Sequence, residues 1–292
     1  MELRIRESNR ERKRVMDKRI ILKAFRQNKL AVICAVLLLF IIIVSLLASL
    51  SPYDPDAMNV QERLEGMSGK HWFGTDDLGR DTLTRALYGG RVSLMVGFAA
   101  MIVAVIFGTL IGTVSGYAGG KVDIVCMRIV DVFLSVPSLL CIIVVYAFMP
   151  QNMVTLIFML AFFSWTKVAR VVRAQTLTLK ERDFVLAAKA LGVKDRTIIW
   201  KHIIPNLMPQ IIVAGSLSIA NAILDESALS FLGYGVQLPQ ASWGSMLQTA
   251  QQYILYNPVM AVVPGVMILL TVLCFNILGD ILQQILDPKL VK

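Results

Sequence analysis

The 292-residue chain is 56% hydrophobic, above the roughly 45–50% of soluble domains, and carries 29 Lys and Arg against 20 Asp and Glu, a net charge of +9. The apolar excess is gathered into long uncharged runs with the basic residues flanking them, which excludes an ordinary soluble domain and leaves no need for nucleic acid to explain the charge. Cys34, Cys126, Cys141 and Cys274 all fall inside apolar runs without metal-site or disulfide-framework spacing, and His71 and His202 lie far apart, so no metal site is expected.

Residues 1–29 hold eleven Lys and Arg and form a basic segment expected in the cytoplasm as a positive-inside anchor; docking of a partner or of anionic lipid is the other reading. Val32–Leu50 then runs 19 residues without a charge. That exceeds the roughly 7–15 apolar residues of a signal peptide, and no small-residue cleavage site precedes Pro52. Leu30–Leu50 is therefore the first span, since about 20 apolar residues cross about 30 Å of hydrocarbon.

The 51–91 loop carries five basic and seven acidic residues, and its Gly74, Gly79, Gly89 and Gly90 suit turns. The second span is expected at Val92–Val114, where Gly108 and Gly112, with Gly116 just beyond, share one helix side and allow close backbone approach. The third, Ile124–Met149, carries Pro137, expected to bend it, and Arg128 three residues before Asp131, expected to pair with it. The fourth is Met153–Val172, the fifth Met208–Leu229 and the sixth Val259–Leu278, with Pro264 and Gly265 inside the last. Asp225 and Glu226, near the outer end of the fifth, admit a translocation-path reading and a structural one. Nine Lys and Arg lie in 167–201 and none in 230–257, so both termini and the 173–207 segment are expected inside, with 51–91 and 230–257 outside.

Within 173–207, Phe184–Leu191 is rich in helix formers, Gly192 suits a left-handed stop, and Asp195 suits the positive start of a second helix running into Pro205. The product is a helix–turn–helix projecting from the membrane, with Ala187 and Ala188 giving a low face that fits a groove.

These residues resemble the coupling motif of ABC importer permeases: Ala187, Ala188, Gly192 and Pro205 hold matching positions, while Leu186 stands where the family often has Glu and His202 where it has Ile. The stretch His71–Leu94 resembles the segment before the second helix of dipeptide, oligopeptide and nickel importer permeases, and Glu226–Leu247 resembles their external segment between the last two helices. The long first external loop is like that of the C-type subunit. The resemblance implies an all-α membrane protein with six transmembrane helices in the type I, methionine-importer-like permease fold. Its parts would be the basic segment 1–29, the first helix and external loop 30–91, a permease core 92–286 containing the coupling segment 173–207, and a cytoplasmic tail 287–292.

By the same resemblance the chain is a non-enzymatic subunit in a bacterial inner membrane. It would work with a second homologous permease, two ATP-binding subunits and an extracytoplasmic solute-binding protein. It lacks a Gly-x-x-x-x-Gly-Lys-Ser/Thr loop, so no cofactor is expected on it, and ATP and magnesium would bind the partners. Ala187, Ala188, Gly192, Lys194, Asp195 and Pro205 would carry coupling to the ATPases. Asp54, Asp56, Asp76 and Asp77, with Glu62 and Glu65, are candidate external docking residues. Di- or oligopeptides are the expected solute; nickel, metal chelates, opines or glutathione are imported by similar permeases. A secondary transporter or channel would show charges at mid-depth in several spans, and an intramembrane enzyme would need partnered His or Asp there; neither pattern is evident.

Overall fold

The computed structural model describes residues 28–286; most of the basic N-terminal segment, residues 1–27, and the 287–292 tail lie outside the described residues. Among the described residues, five helices are long and apolar enough to cross a membrane, and a helix pair bent by 84° brings the number to six when it is counted as one span.

Helix α1 (Lys29–Leu46) starts where the Asn28 side chain accepts from Ala31 N, and tightens into a final turn, Leu47–Leu50. Ala31, Cys34, Leu38, Ile41 and Ser45 recur every three or four residues and are its buried stripe, while Ile33, Val36, Leu39, Phe40 and Ile43 face outward. That one-sided pattern is how a peripheral span sits in lipid. The stripe packs Cys34 against Cys274 of the last helix, both thiols free.

Helix α2 (Thr82–Ala118) has 37 residues, about 55 Å at 1.5 Å per residue, and so outruns the bilayer. It begins ten residues before the expected second span, so Gly89 and Gly90 are helical rather than turn residues, and Gly116 lies inside the helix. The Asp81 carboxylate caps it through Thr84 N at 2.8 Å. Gly74 and Gly79, at φ of +71° and +75°, do shape turns: an added Cβ would lie 2.3 Å from Glu65 O and 1.8 Å from Asn59 O.

The expected third span is broken. Helix α3 (Gly120–Ser135) and helix α4 (Ser138–Ala147) meet at 84° around Val136–Pro137. Pro137 has no N–H to continue the ladder, and it forces Val136 into extended backbone at φ −111°, ψ 138°. Helix α5 (Met153–Lys180), capped by Asn152, packs along α2, where Gly112 brings α2 against Ala169 O and Val172. The glycine row therefore serves packing within this chain.

Helix α6 (Asp183–Ala190) leads into helix α7 (Asp195–Ile198), a widened turn at Ile199–Ile203, and helix α8 (Ile204–Phe231), one continuous rod from 195 to 231. Pro205 does not end this helix. The widened turn before it accommodates the missing donor. Helix α9 (Trp243–Gln251) has a Ser242–Ser245 capping box, and helix α10 (Val259–Leu286) runs through Pro264 without a break.

Candidate functional site

The 183–205 segment has a defined shape and two faces. Val185 and Ala188 of α6 are buried with Ile198, Ile203 and Leu207, against Val168 and Val172 of α5 and Tyr117 of α2. At the end of α6, Gly192 N donates to Lys189 O at 2.9 Å and Val193 N to Ala188 O at 3.1 Å. This crossed pair closes a helix when the residue between is left-handed, and Gly192 sits at φ +74°. Nothing lies within 4 Å of a Cβ added there, so glycine is required for its backbone and not for room.

The turn is tied to α2 by two contacts on one ring. The Tyr117 hydroxyl donates to Asp195 Oδ1, and Lys189 Nζ lies 4.6 Å over the Tyr117 ring. Lys194 occupies the cap position before Asp195 and is exposed, as is Pro205. Outward, the segment presents Leu186, Ala190 and Leu191, the last 82% exposed, with Ala187 half-buried at the edge. Where the resembling family often has Glu, this chain offers the apolar Leu186 to the outside.

Two ion-pair clasps stand behind the segment. Arg173 binds Asp123 through Nε and Nη2, each at 2.5 Å, and Ser115 Oγ donates to the same carboxylate at 2.6 Å, joining α2, α3 and α5. Arg170 Nη2 reaches Asp131 Oδ1 at 2.6 Å. The expected Arg128–Asp131 pair is thus replaced by a cross-helix one, because Arg170 on α5 faces Asp131 directly.

Asp225 and Glu226 separate. Glu226 is fully buried and receives Ser93 Oγ at 3.0 Å and Ser230 Oγ at 2.7 Å. Trp243, also fully buried, donates from N to Ser93 Oγ at 3.2 Å and from Nε1 to Ala86 O at 2.9 Å. Gly89 and Gly90 let α2 approach this indole: an added Cβ at Gly90 would lie 3.0 Å from Trp243 Cζ2. The translocation-path reading of Glu226 is therefore corrected: it locks α2, α8 and α9 together. Asp225, half-exposed, points elsewhere.

The external carboxylates also divide. Asp76 is buried, its oxygens accepting from Arg80 Nε at 2.7 Å and from Leu78 N and Arg80 N at 2.9 Å, with Arg85 Nε at 3.5 Å. It is withdrawn from docking because two buried guanidiniums need its charge. Asp77, partly exposed, is pushed above the usual carboxylate range by burial and by the neighbouring Asp76. Asp54, exposed, accepts from Asp56 N at 2.8 Å, and Asp56 accepts from Arg85 Nη1 at 3.2 Å. Glu65 is exposed, while Glu62 pairs with Lys70. His71 Nδ1 lies 2.9 Å from Asp81 Oδ1, so the His71–Asp81 stretch is a closed knot at the head of α2.

Sequence reading missed Lys167 on α5, Tyr117 and Trp243. A lysine inside a membrane-length helix was a usable signal; the two aromatic roles depend on contacts 78 and 157 residues apart in the chain.

Residues 104–292 match the family described as binding-protein-dependent transport system inner membrane component, and residues 19–66 match the N-terminal TM domain of oligopeptide transport permease C. Over 269 residues, 92% of this chain and 88% of the relative, the chain is 40% identical to the oligopeptide transport system permease protein OppC of Bacillus subtilis (strain 168). Over the same shares it is 41% identical to the dipeptide transport system permease protein DppC of Alkalihalophilus pseudofirmus. It is 39% identical to the glutathione transport system permease protein GsiD of Pectobacterium atrosepticum, over 92% of this chain and 90% of that one. A solved structure of the MetNI methionine ABC transporter, inward facing, superposes with a TM-score of 0.57 at 18% identity, covering 70% of this chain and 96% of that one. That likeness is one of fold, the type I importer permease fold.

Proposed function

Because the chain belongs to the binding-protein-dependent transport system inner membrane component family, we propose that it is a permease subunit of an ATP-driven importer carrying di- or oligopeptides into the cytoplasm. The observation that carries this reading is the rigid, apolar-tipped turn at 183–194, closed by Gly192 and tied to α2 through Tyr117. In this reading the turn sits in a groove of an ATP-binding subunit, with Leu186, Ala187, Ala190 and Leu191 as the contact, while Ala188, expected on that face, packs inward and seats the turn on α5.

Closure of two such subunits on ATP presses this turn and its counterpart on a second permease together. The load passes through Tyr117–Asp195 to α2 and along the continuous 195–231 helix to the outer cluster at Glu226. ATP and magnesium stay with the partners. An extracytoplasmic binding protein delivers solute to the outer surface formed by the 51–81 knot and the 232–257 segment. In this reading both termini lie in the cytoplasm, which the Lys and Arg gathered in 1–29 and 167–201 support. Peptide is the solute class because relatives named for oligopeptide, dipeptide and glutathione transport match 92% of the chain at 39–41% identity.

Mild extraction from the native membrane followed by mass spectrometry of stable partners tests the assembly. A second six-span permease with ATP-binding subunits is the expected recovery. A homo-oligomer recovered repeatedly without any ATPase refutes it.

A further inference from the structure

Among the charges on the membrane-spanning helices that lie outside the clasps and clusters described above, Lys167 and Asp225 are of opposite sign and sit on two helices packed against each other, α5 and α8. Lys167 lies fourteen residues into α5, about 21 Å along the helix, and Asp225 lies six residues, about 9 Å, before the end of α8. Thr166, Val168 and Ala169 beside Lys167 are buried, as are Ala222, Ile223 and Glu226 beside Asp225. Each charge therefore projects from the side of its own helix turned away from these buried neighbours. Asn221, one turn from Asp225 on the same face, is exposed as well.

Ionised groups at this depth are expensive against lipid, so each of the two meets water or protein. Yet among the described residues neither charge has an ion-pair partner within 4.0 Å. Further along α5, Arg170 and Arg173 are closed onto Asp131 and Asp123. A closed pair neutralises itself, whereas an open pair of opposite sign is left to receive a ligand with two charged ends.

We propose that Lys167 and Asp225 line the solute path and receive, respectively, the carboxylate and the ammonium of a zwitterionic peptide in transit. This rests on the peptide reading above. Those two charges are common to peptides of any sequence, so one cation and one anion on the wall admit the class without reading side chains.

The test is uptake into vesicles by the assembled importer, with trialanine, its C-terminal amide and its N-acetyl form as probes. The same binding protein serves wild type and variants, so the variant-to-wild-type ratio cancels its own preference. Lys167→Gln is expected to lower trialanine uptake about tenfold and amide uptake less than about twofold, the loss of one charged hydrogen bond. Asp225→Asn is expected to do the same for trialanine against its N-acetyl form. Equal losses for free and blocked peptides, or no loss for any, overturn the inference and leave the peptide reading standing. A wild-type importer that hydrolyses ATP but carries none of the three peptides refutes the peptide reading, and this inference with it. If a charge variant does not assemble, Asn221→Cys carries the test. Trialanine-loaded binding protein should slow its reaction with a cationic thiol reagent, and an unchanged rate overturns the inference.

Discussion

Replacing Gly192 tests the coupling role proposed for the 183–194 turn and separates a conformational requirement there from a purely spatial one. At φ +74°, with nothing within 4 Å of a new Cβ, any L-residue meets backbone strain and no collision. A left-handed conformation costs an L-residue roughly 1–2 kcal/mol, and less for Asn. The two bonds that close the turn, Gly192 N to Lys189 O and Val193 N to Ala188 O, contribute about 0.5–1.5 kcal/mol each. The strain is thus of the same size as the local stabilisation, and about 1.4 kcal/mol shifts a population tenfold. Gly192→Val should cut solute-stimulated ATP hydrolysis and uptake by the assembled importer about tenfold, with Gly192→Ala close behind and Gly192→Asn retaining most activity. Membrane insertion and partner recovery should stay at wild-type levels, because the spans bury their own contacts elsewhere. An Asn variant as damaged as Val would refute the conformational argument and make the missing side chain itself the requirement. A Val variant at wild-type rates would remove the turn from coupling altogether.

Gly112→Leu should destabilise the α2–α5 contact, since its Cβ would fall 2.5 Å from Ala169 O; a loss of about 1–3 kcal/mol or more is expected, read as a lower melting temperature in detergent. Glu226→Ala should cost about 2–4 kcal/mol by the same measurement, because Ser93 and Ser230 lose their acceptor in a buried site, and Glu226→Gln should cost less. Asp76→Ala removes the buried carboxylate that Arg80 and Arg85 share, leaving Arg85 with Asp56 and Arg80 with Asp77 at 3.7 Å, and should cost about 1–3 kcal/mol, read as protease sensitivity of the external knot. Tyr117→Phe removes one bond to Asp195 and should cost about 1 kcal/mol, seen as a severalfold loss of stimulated ATP hydrolysis with insertion intact.

Much of this architecture is visible along the chain because it depends on neighbours in sequence. Uncharged runs identify spans, and the Asp183–Ala190 helix with its glycine stop needs only residues within a few positions. The third span misleads because a proline between two apolar stretches is compatible with a bend or a full break. The 84° break at Val136–Pro137 follows from where α4 finds cover, with Ile142 and Tyr146 packed into the core beside Leu156 and Leu160. The second helix is longer than its apolar part because Asp81 caps it outside the membrane, and polarity alone hid that start.

The carboxylates show the division most plainly. Asp225 and Glu226 are adjacent and chemically alike, yet a helix turns about 100° per residue, so one is fully buried among serines from three segments and the other stays half-exposed. Asp76 and Asp77 divide in the same way around Arg80 and Arg85. Asp131 takes Arg170 over the nearer Arg128, 39 residues away in sequence but opposite it in space. The sequence by itself determined the membrane class, most of the spans and the glycine-closed turn after Ala190, since hydropathy, charge and backbone preference act over a few residues. Only the tertiary structure decided which charges are locked and which remain open, because that choice belongs to the partner each side chain meets across helices.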